Sequence, residues 1–340
     1  MSKVYDFLLL GYYGFGNLGD ELLAEAVLSL LLECGIKKES VAVLSASPRE
    51  SEARLGIRAF NRWDLREVSR ACRSSRALLL GGGGLFQEST SLRSCLYYYA
   101  VVRIAALHGA KIMAAGQSVG PLRSFAARAL TKNAFSLCAD VAVRDKPSFA
   151  WLSKWKIPAR LSPDLVMSLR PQKAASQQRL LVNIRPGHDE LAALTLKWAA
   201  ELAKARGISV TGIALSDEDA ALFDKFKKFD YADLSDIITV RSLDDFSQAA
   251  QNAGGAVGMR LHFLILSCLC GVPSAGSAYD PKVGAFCAEY GLSLVCEQET
   301  PSLCVQVSEA RLDAVRGTIK KDFISGVKAV LPRWSGESNG

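Results

Sequence analysis

Short apolar runs alternate with amphipathic stretches along nearly the whole chain, and glycine or polar clusters mark the joins. Residues 4–10 form an apolar run, broken only by Asp6, that ends in Gly11, the pattern of a strand buried on both faces of a parallel sheet. A glycine-rich turn, Gly11-Tyr12-Tyr13-Gly14-Phe15-Gly16-Asn17-Leu18-Gly19-Asp20-Glu21, leads into an amphipathic helix that reaches about residue 33. Further strands are expected at 41–44, 77–80, 111–115 and 140–143, with helical segments to about 75, at 92–108 and at 124–138. Four consecutive glycines, Gly81 to Gly84, suit no regular element, so they are read as a loop, and 116–121 as a polar turn.

Periodicity is lost over residues 161–176, which carry Pro163, Asp164 and Pro171, turn polar and read as a linker. The alternation then restarts. Strands are expected at 180–184, 208–215, 237–240 and 256–257, and helices at 191–205, 220–228, 243–252 and 264–269, with Gly254-Gly255 as a turn. Strands alternating with helices in both halves predict an α/β protein of two doubly wound Rossmann-like domains, their parallel sheets facing a central cleft. The expected domains are 1–170 and 171–330, followed by a frayed polar tail at 331–340.

Composition narrows the classes of partner. A chain of 340 residues with 49% hydrophobic and 22% charged residues has the make-up of an ordinary globular protein with room for two cores. Its net charge of +7 is scattered and accompanied by no zinc-finger spacing or RNA-binding aromatic signature, so nucleic acid is set aside in favour of an anionic substrate or loose contact with an anionic membrane surface. Nine cysteines without framework spacing, several inside apolar runs, point to a reducing compartment without disulfides or zinc. No stretch reaches the ~20 apolar residues of a membrane helix. A cytoplasmic protein is expected.

Candidate chemistry collects where strands hand over to helices, the end of a parallel sheet that receives ligands. Gly258-Met259-Arg260-Leu261-His262-Phe263 places a guanidinium and an imidazole two residues apart at such a junction. One reading is an anion holder beside an acid/base group; the other is a surface ion pair beside a half-buried ring. Arg144 ends another strand. Asp20 is either a helix N-cap or a carboxylate facing the cleft as a base. Gln87 and Glu88 leave the glycine run, suited to binding hydroxyls. Pro281 suits a helix's first turn, and Lys282 beside it is either a phosphate ligand or a solvated lysine.

Six segments in order, Gly-Asn-Leu-Gly-Asp-Glu at 16–21, the glycine run to Glu88, Gly-Gln-Ser-Val-Gly-Pro at 116–121, Val-Arg-Asp at 143–145, Gly-Met-Arg-Leu-His at 258–262 and Tyr-Asp-Pro-Lys at 279–282, resemble the polysaccharide pyruvyl transferases, nearest to the CsaB type that acts on secondary cell-wall polysaccharide. The resemblance implies a GT-B-like fold, with the acceptor on the N-terminal side and phosphoenolpyruvate on the C-terminal side. It implies transfer from phosphoenolpyruvate, a co-substrate with no further cofactor or metal, onto two sugar hydroxyls as a cyclic ketal.

It also implies site residues. His262 would be the general acid and Asp20 the base. Arg144, Arg260, Leu261, Ser277 and Lys282 would hold phosphoenolpyruvate, and Asn17, Gly83, Gly84, Gln87, Glu88, Gln117 and Tyr279 the acceptor. A lipid-linked acceptor containing N-acetylmannosamine would bring the enzyme to the inner membrane face as a peripheral protein; a homo-oligomer stays open. Gly84 stands where the family pattern has Ser, and Glu88 where it has Asp, which touches the acceptor more than the donor. Two other readings compete: a nucleotide-sugar glycosyltransferase or epimerase, with Glu289 as its ribose ligand, and a non-catalytic sensor of phosphoenolpyruvate or glycan.

Overall fold

The computed structural model describes residues 3–88, 92–175, 178–227, 233–297, 302–303, 306–332 and 334. They form two compact units: Met1–Phe15, Asp20–Ser168 and Val315–Gly340 make the first, and Gly16–Gly19 with Leu169–Ala314 the second.

The first unit contains β1 (Tyr5–Leu10), α1 (Leu18–Glu33), β2 (Val41–Ser45), α2 (Pro48–Leu55), β3 (Arg58–Asn61), α3 (Leu65–Ser74), β4 (Ser75–Phe86), α4 (Leu92–Leu107), β5 (Lys111–Val119), α5 (Phe125–Ser136), β6 (Asp140–Val143), α6 (Lys146–Lys154) and β7 (Arg160–Leu161). Its sheet is parallel throughout, in the order β3-β2-β1-β4-β5-β6-β7. Alternate residues Leu8, Leu10, Ala42, Leu44, Leu78, Leu80, Ile112 and Ala114 share one core with Val68 and Cys72 of α3 and Tyr98 and Val102 of α4. Phe7 and Leu9, on the other face, are also fully buried. Burial on both faces explains the near-continuous apolar runs.

The second unit contains β8 (Arg179–Asn183), α7 (Asp189–Arg206), β9 (Ser209–Ala214), α8 (Asp217–Lys227), β10 (Leu234–Thr239), α9 (Leu243–Ala250), β11 (Ala253–Gly258), α10 (Leu261–Leu269), β12 (Ser274–Gly276), α11 (Pro281–Tyr290) and β13 (Ser293–Leu294). Its parallel sheet runs β10-β9-β8-β11-β12-β13. Val182, Val257 and Ala275 of this sheet pack against Leu196 and Ala199 of α7 and Phe223 of α8. In both sheets strand order reverses beside the first strand of the unit, at β1/β4 and at β8/β11, which opens a crevice at the strands' carboxyl ends.

Several expectations need correction. The glycine run is no loop: β4 passes through it to Phe86, with a register shift between Gly83 and Phe86 and positive φ at Gly82 (82°) and Gly83 (79°). A bulge needs those backbone angles, and glycine reaches them without strain. Likewise β5 continues through the expected turn to Val119, and Gly254-Gly255 lie inside β11. The edge strand β3 went unread because only Ala59 and Phe60 of its four residues are buried.

A final helix, α12 (Glu309–Val330), crosses from the one grouping to the other, since residues from Val315 onward belong with the first unit. They are tied there by polar contacts. Arg160, bonded to Asp140 at 2.6 and 2.8 Å, also donates to the Asp322 carbonyl at 2.6 Å, and the Trp334 indole donates to the Cys34 carbonyl at 2.9 Å. Residues 333 and 335–340 of the expected frayed tail lie outside the described residues. Among the described residues no helix is long and apolar enough to cross a membrane.

Candidate active site

In the second unit, side chains with substrate chemistry gather at the carboxyl ends of three neighbouring strands, β8, β11 and β12. Asn183 closes β8 and organises the junction: its Oδ1 accepts from the Arg260 backbone N–H at 3.1 Å, and its amide donates to the Ile213 carbonyl at 2.8 Å. Arg260 is thereby fixed as the N-cap residue of α10. Its Nε and Nη2 donate to the two oxygens of Asp219 at 2.7 and 2.6 Å, and Nη2 also reaches Ser216 Oγ at 3.2 Å. Asp219 is fully buried in α8. The forked edge expected to grip a substrate anion therefore already grips a carboxylate of the protein.

Leu261 opens α10, and His262 follows in its first turn with a half-buried ring whose Nε2 is shielded from solvent. The Gly16–Gly19 turn, which groups with this unit, lies against that ring. A Cβ added to Gly19 would stand 2.0 Å from His262 Nδ1, so only glycine allows this approach. Asn17 supports the turn, its Oδ1 accepting from the Gly19 N–H at 3.2 Å.

Beyond β12, Ser277 is fully buried and hydrogen-bonded to Thr195 Oγ1 at 2.8 Å, so its hydroxyl serves the packing of α7 instead of facing outward as a donor ligand would. Asp280 caps α11 through the Lys282 N–H (2.9 Å) and sits 3.5 Å from Lys282 Nζ. Tyr279, expected beside the acceptor, carries the Arg185 guanidinium 4.4 Å above its ring, with the His188 ring 5.0 Å away. Arg185 was missed in the sequence. Among the described residues no carboxylate pairs with it, and its Nε is buried without a hydrogen-bond partner. Its signal was legible all the same: like Arg144 and Arg260, it comes just after a strand.

The first unit brings together the other expected residues. Asn17 takes the capping position before α1, so Asp20 is the third helical residue and not the cap; its carboxylate is favoured there by the helix dipole. The bulge of β4 lies beside it, for a Cβ on Gly83 would come 3.3 Å from Asp20 Oδ1. Beneath the bulge Tyr13 donates to the Gly81 carbonyl at 2.7 Å and Gln117 to that of Gly82 at 2.9 Å. Burial, then the nearby Asp20 and Glu21 charges, push the Tyr13 phenol well above its ordinary range, so it remains a donor. Gln117 is completely buried, which makes it a support of the glycine backbone; its Oε1 meets no partner among the described residues.

Gly84 and Gln87 are half-buried at the exit of β4. Glu88 is engaged elsewhere than at an open acceptor face: its carboxylate accepts from the Arg123 N–H, the Ser124 N–H (2.7 Å) and the Ser124 hydroxyl (2.6 Å) at the start of α5. The Ser124 bonds lower its pKa. Arg144 is also committed. It pairs with Asp164, both side chains 7% exposed, and donates Nε to Ser118 Oγ at 2.7 Å. The guanidiniums assigned to one donor are thus divided, Arg144 in the first unit and Arg260 in the second.

Among known families, residues 17–281 match the sequence model described as polysaccharide pyruvyl transferase. No curated protein matches the chain significantly. Solved structures similar to it include S. aureus MnaA in a co-structure with UDP (11% identity, 96% of each chain, TM-score 0.59). Also similar are the UDP-GlcNAc 2-epimerase from Methanocaldococcus jannaschii (10% identity, 94% of this chain and 98% of that one, TM-score 0.55) and a glycosyltransferase from Rickettsia africae (9%, 97% and 94%, TM-score 0.51). At such identities the likeness is one of fold, two Rossmann-like units of GT-B type.

Proposed function

Since the chain belongs to the polysaccharide pyruvyl transferase family, we propose that it moves the enolpyruvyl-derived group of phosphoenolpyruvate onto two hydroxyls of one sugar, forming a cyclic ketal and phosphate. The observation that carries this reading is the gathering of Arg185, Arg260, His262 and Lys282 at the ends of β8, β11 and β12 in one unit. Phosphoenolpyruvate carries a carboxylate and a phosphate, and a cation set at helix N-termini suits both.

In the proposed reaction His262 gives a proton to the methylene carbon, which leaves the adjacent carbon electrophilic. A sugar hydroxyl adds there, its proton taken by Asp20. The bond to the phosphate oxygen then breaks, the second hydroxyl adds, and the ketal closes. Of the two hydroxyl protons, one restores His262 and the other leaves with phosphate. Arg185 receives the donor's anionic oxygens. Arg260, held by Asp219, contributes a fixed positive charge and positions His262. The acceptor is a lipid-linked cell-wall precursor containing N-acetylmannosamine, as in the CsaB type, met by a cytoplasmic enzyme at the inner membrane face.

The test incubates the protein with phosphoenolpyruvate and a synthetic lipid-linked N-acetylmannosamine disaccharide, following phosphate release and acceptor mass together. Both signals are expected from wild type and neither from His262→Ala. Arg185→Met is expected to raise the phosphoenolpyruvate KM. Stabilisation by a nucleotide sugar and not by phosphoenolpyruvate would refute the proposal in favour of a nucleotide-sugar enzyme.

A further inference from the structure

A cluster of rings in the first unit takes no part in the chemistry above. Tyr12 and Phe15, in the turn after β1, stack in parallel with centroids 3.9 Å apart and an interplanar angle of 7°. Trp63, just after β3, meets Phe15 edge to face at 6.2 Å, and Tyr97 of α4 lies 5.8 Å from Trp63. Three of these rings face solvent, Tyr12 at 43%, Phe15 at 38% and Trp63 at 62% exposure. Large rings grouped in water at the ligand end of a parallel sheet call for a reason.

The group is rigidly built. Below it lies Arg62, only 2% exposed, within 4.5–5.4 Å of the Phe15, Trp63, Tyr97 and Tyr98 ring centroids. Arg62 donates to the Gly11 carbonyl at 2.8 Å and to the Tyr98 hydroxyl at 3.1 Å, and among the described residues no carboxylate pairs with it. A buried cation facing ring π-clouds holds the rings in place from beneath. The loop carrying Trp63 is equally fixed, because Asn61 Oδ1 accepts from the Trp63 N–H at 2.9 Å while Glu67 accepts from the Asn61 N–H at 2.7 Å. The turn carrying Tyr12 and Phe15 is pinned by the Gly14 N–H to Glu21 at 2.8 Å.

We propose that Tyr12, Phe15 and Trp63 form a sugar-stacking subsite that holds one ring of the acceptor glycan, an inference that rests on the polysaccharide reading above. A pyranose has an apolar C–H face with polarised hydrogens and an edge of hydroxyls, which suits an exposed, electron-rich ring held immobile by its neighbours, Trp63 foremost. An anionic lipid surface fits less well, since the exposed Asp64 and Arg66 beyond Trp63 carry opposite charges and give its headgroups no net attraction. The subsite lies over β1 and β3, and the β4 bulge adjoins β1 in the same sheet, so a glycan longer than one sugar can occupy both.

The test uses the full chain and a soluble N-acetylhexosamine disaccharide, read by tryptophan fluorescence and calorimetry, alongside pyruvyl transfer to the lipid-linked acceptor. Loss of one ring–sugar stack in Trp63→Ala is expected to weaken disaccharide binding and raise the acceptor KM roughly 5- to 100-fold. The phosphoenolpyruvate KM and the melting temperature should hardly move, and Trp63→Phe should recover most of the binding. Wild type and Trp63→Ala binding the disaccharide equally, or wild type binding none, overturns the subsite. So does a Trp63→Ala variant whose only defect is lost sedimentation with anionic vesicles. Trp63-dependent binding in a protein that releases no phosphate would keep the subsite and remove the transferase reading.

Discussion

Replacing Asp219 by Asn tests what holds Arg260. The substitution keeps the shape but removes the charge from a fully buried side chain that accepts two guanidinium bonds at 2.6 and 2.7 Å and the Leu215 N–H at 3.2 Å. Breaking one side of a buried ion pair costs about 3–5 kcal/mol. Arg260 is 15% exposed at its side chain, and the amide oxygen still accepts one bond, so a cost of about 2–3 kcal/mol is expected. For a unit of this size that is a fall in Tm of roughly 4–12 °C. Thermal unfolding followed by circular dichroism measures it, and Asp219→Leu with Arg260→Met completes a double-mutant cycle whose coupling isolates the pair. A Tm within 2 °C of wild type would refute the reasoning. Arg260 would then be available to the donor, and its role as a fixed, positioning charge would fall.

Other substitutions probe the neighbouring contacts. Gly19→Ala places a Cβ 2.0 Å from His262 Nδ1, so the ring must turn; phosphate release should drop at least about tenfold, with a stability loss of only about 1–3 kcal/mol, read by parallel kinetics and urea unfolding. Glu88 is held below its ordinary 4.5 by the Ser124 bonds, so it adds stability above that value and loses it as pH falls through the lower folded value. Urea midpoints taken from neutral pH downward should therefore fall more steeply below 4.5 for wild type than for Glu88→Gln. Burial raises the Cys72, Cys268 and Cys270 thiols to about 12 and Cys34 to about 11, so mass spectrometry should find these four unalkylated by iodoacetamide at about pH 8 until the protein is unfolded.

The fold was legible in the sequence because a parallel sheet covered on both faces writes itself as near-continuous apolar runs, and β1, β2 and β8 begin and end within a residue or two of those runs. Glycine misled that reading in β4 and β11, where local propensity argues for a turn but one neighbouring strand, β5 beside Gly81 and Gly83 and β8 beside Gly255, supplies a ladder. The candidate site was read from strand ends and helix starts, which is how Arg144, Arg260, His262 and Lys282 entered it. What each guanidinium touches was not legible. Asp219 lies 41 positions from Arg260 and Asp164 lies 20 from Arg144, and nothing local marks either carboxylate as a partner. Ser277 and Gln117 likewise look like ligands in a motif until burial shows Ser277 bonded to Thr195 and Gln117 to the Gly82 carbonyl.

The return of the chain from Val315 onward to the first unit has a consequence for biogenesis. That unit lacks its final helical segment, with the Asp322 and Trp334 contacts, until the 146 residues 169–314 have been synthesised. At about 5–20 residues per second the interval is roughly 7–30 s. During it the nascent first unit has a sheet without its closing cover, with Met113 of β5 still to receive Gly326, and the apolar surface left open is a place for a chaperone to bind. The second unit is nearly complete when that segment emerges, so the polypeptide matures in the reverse of its order of synthesis.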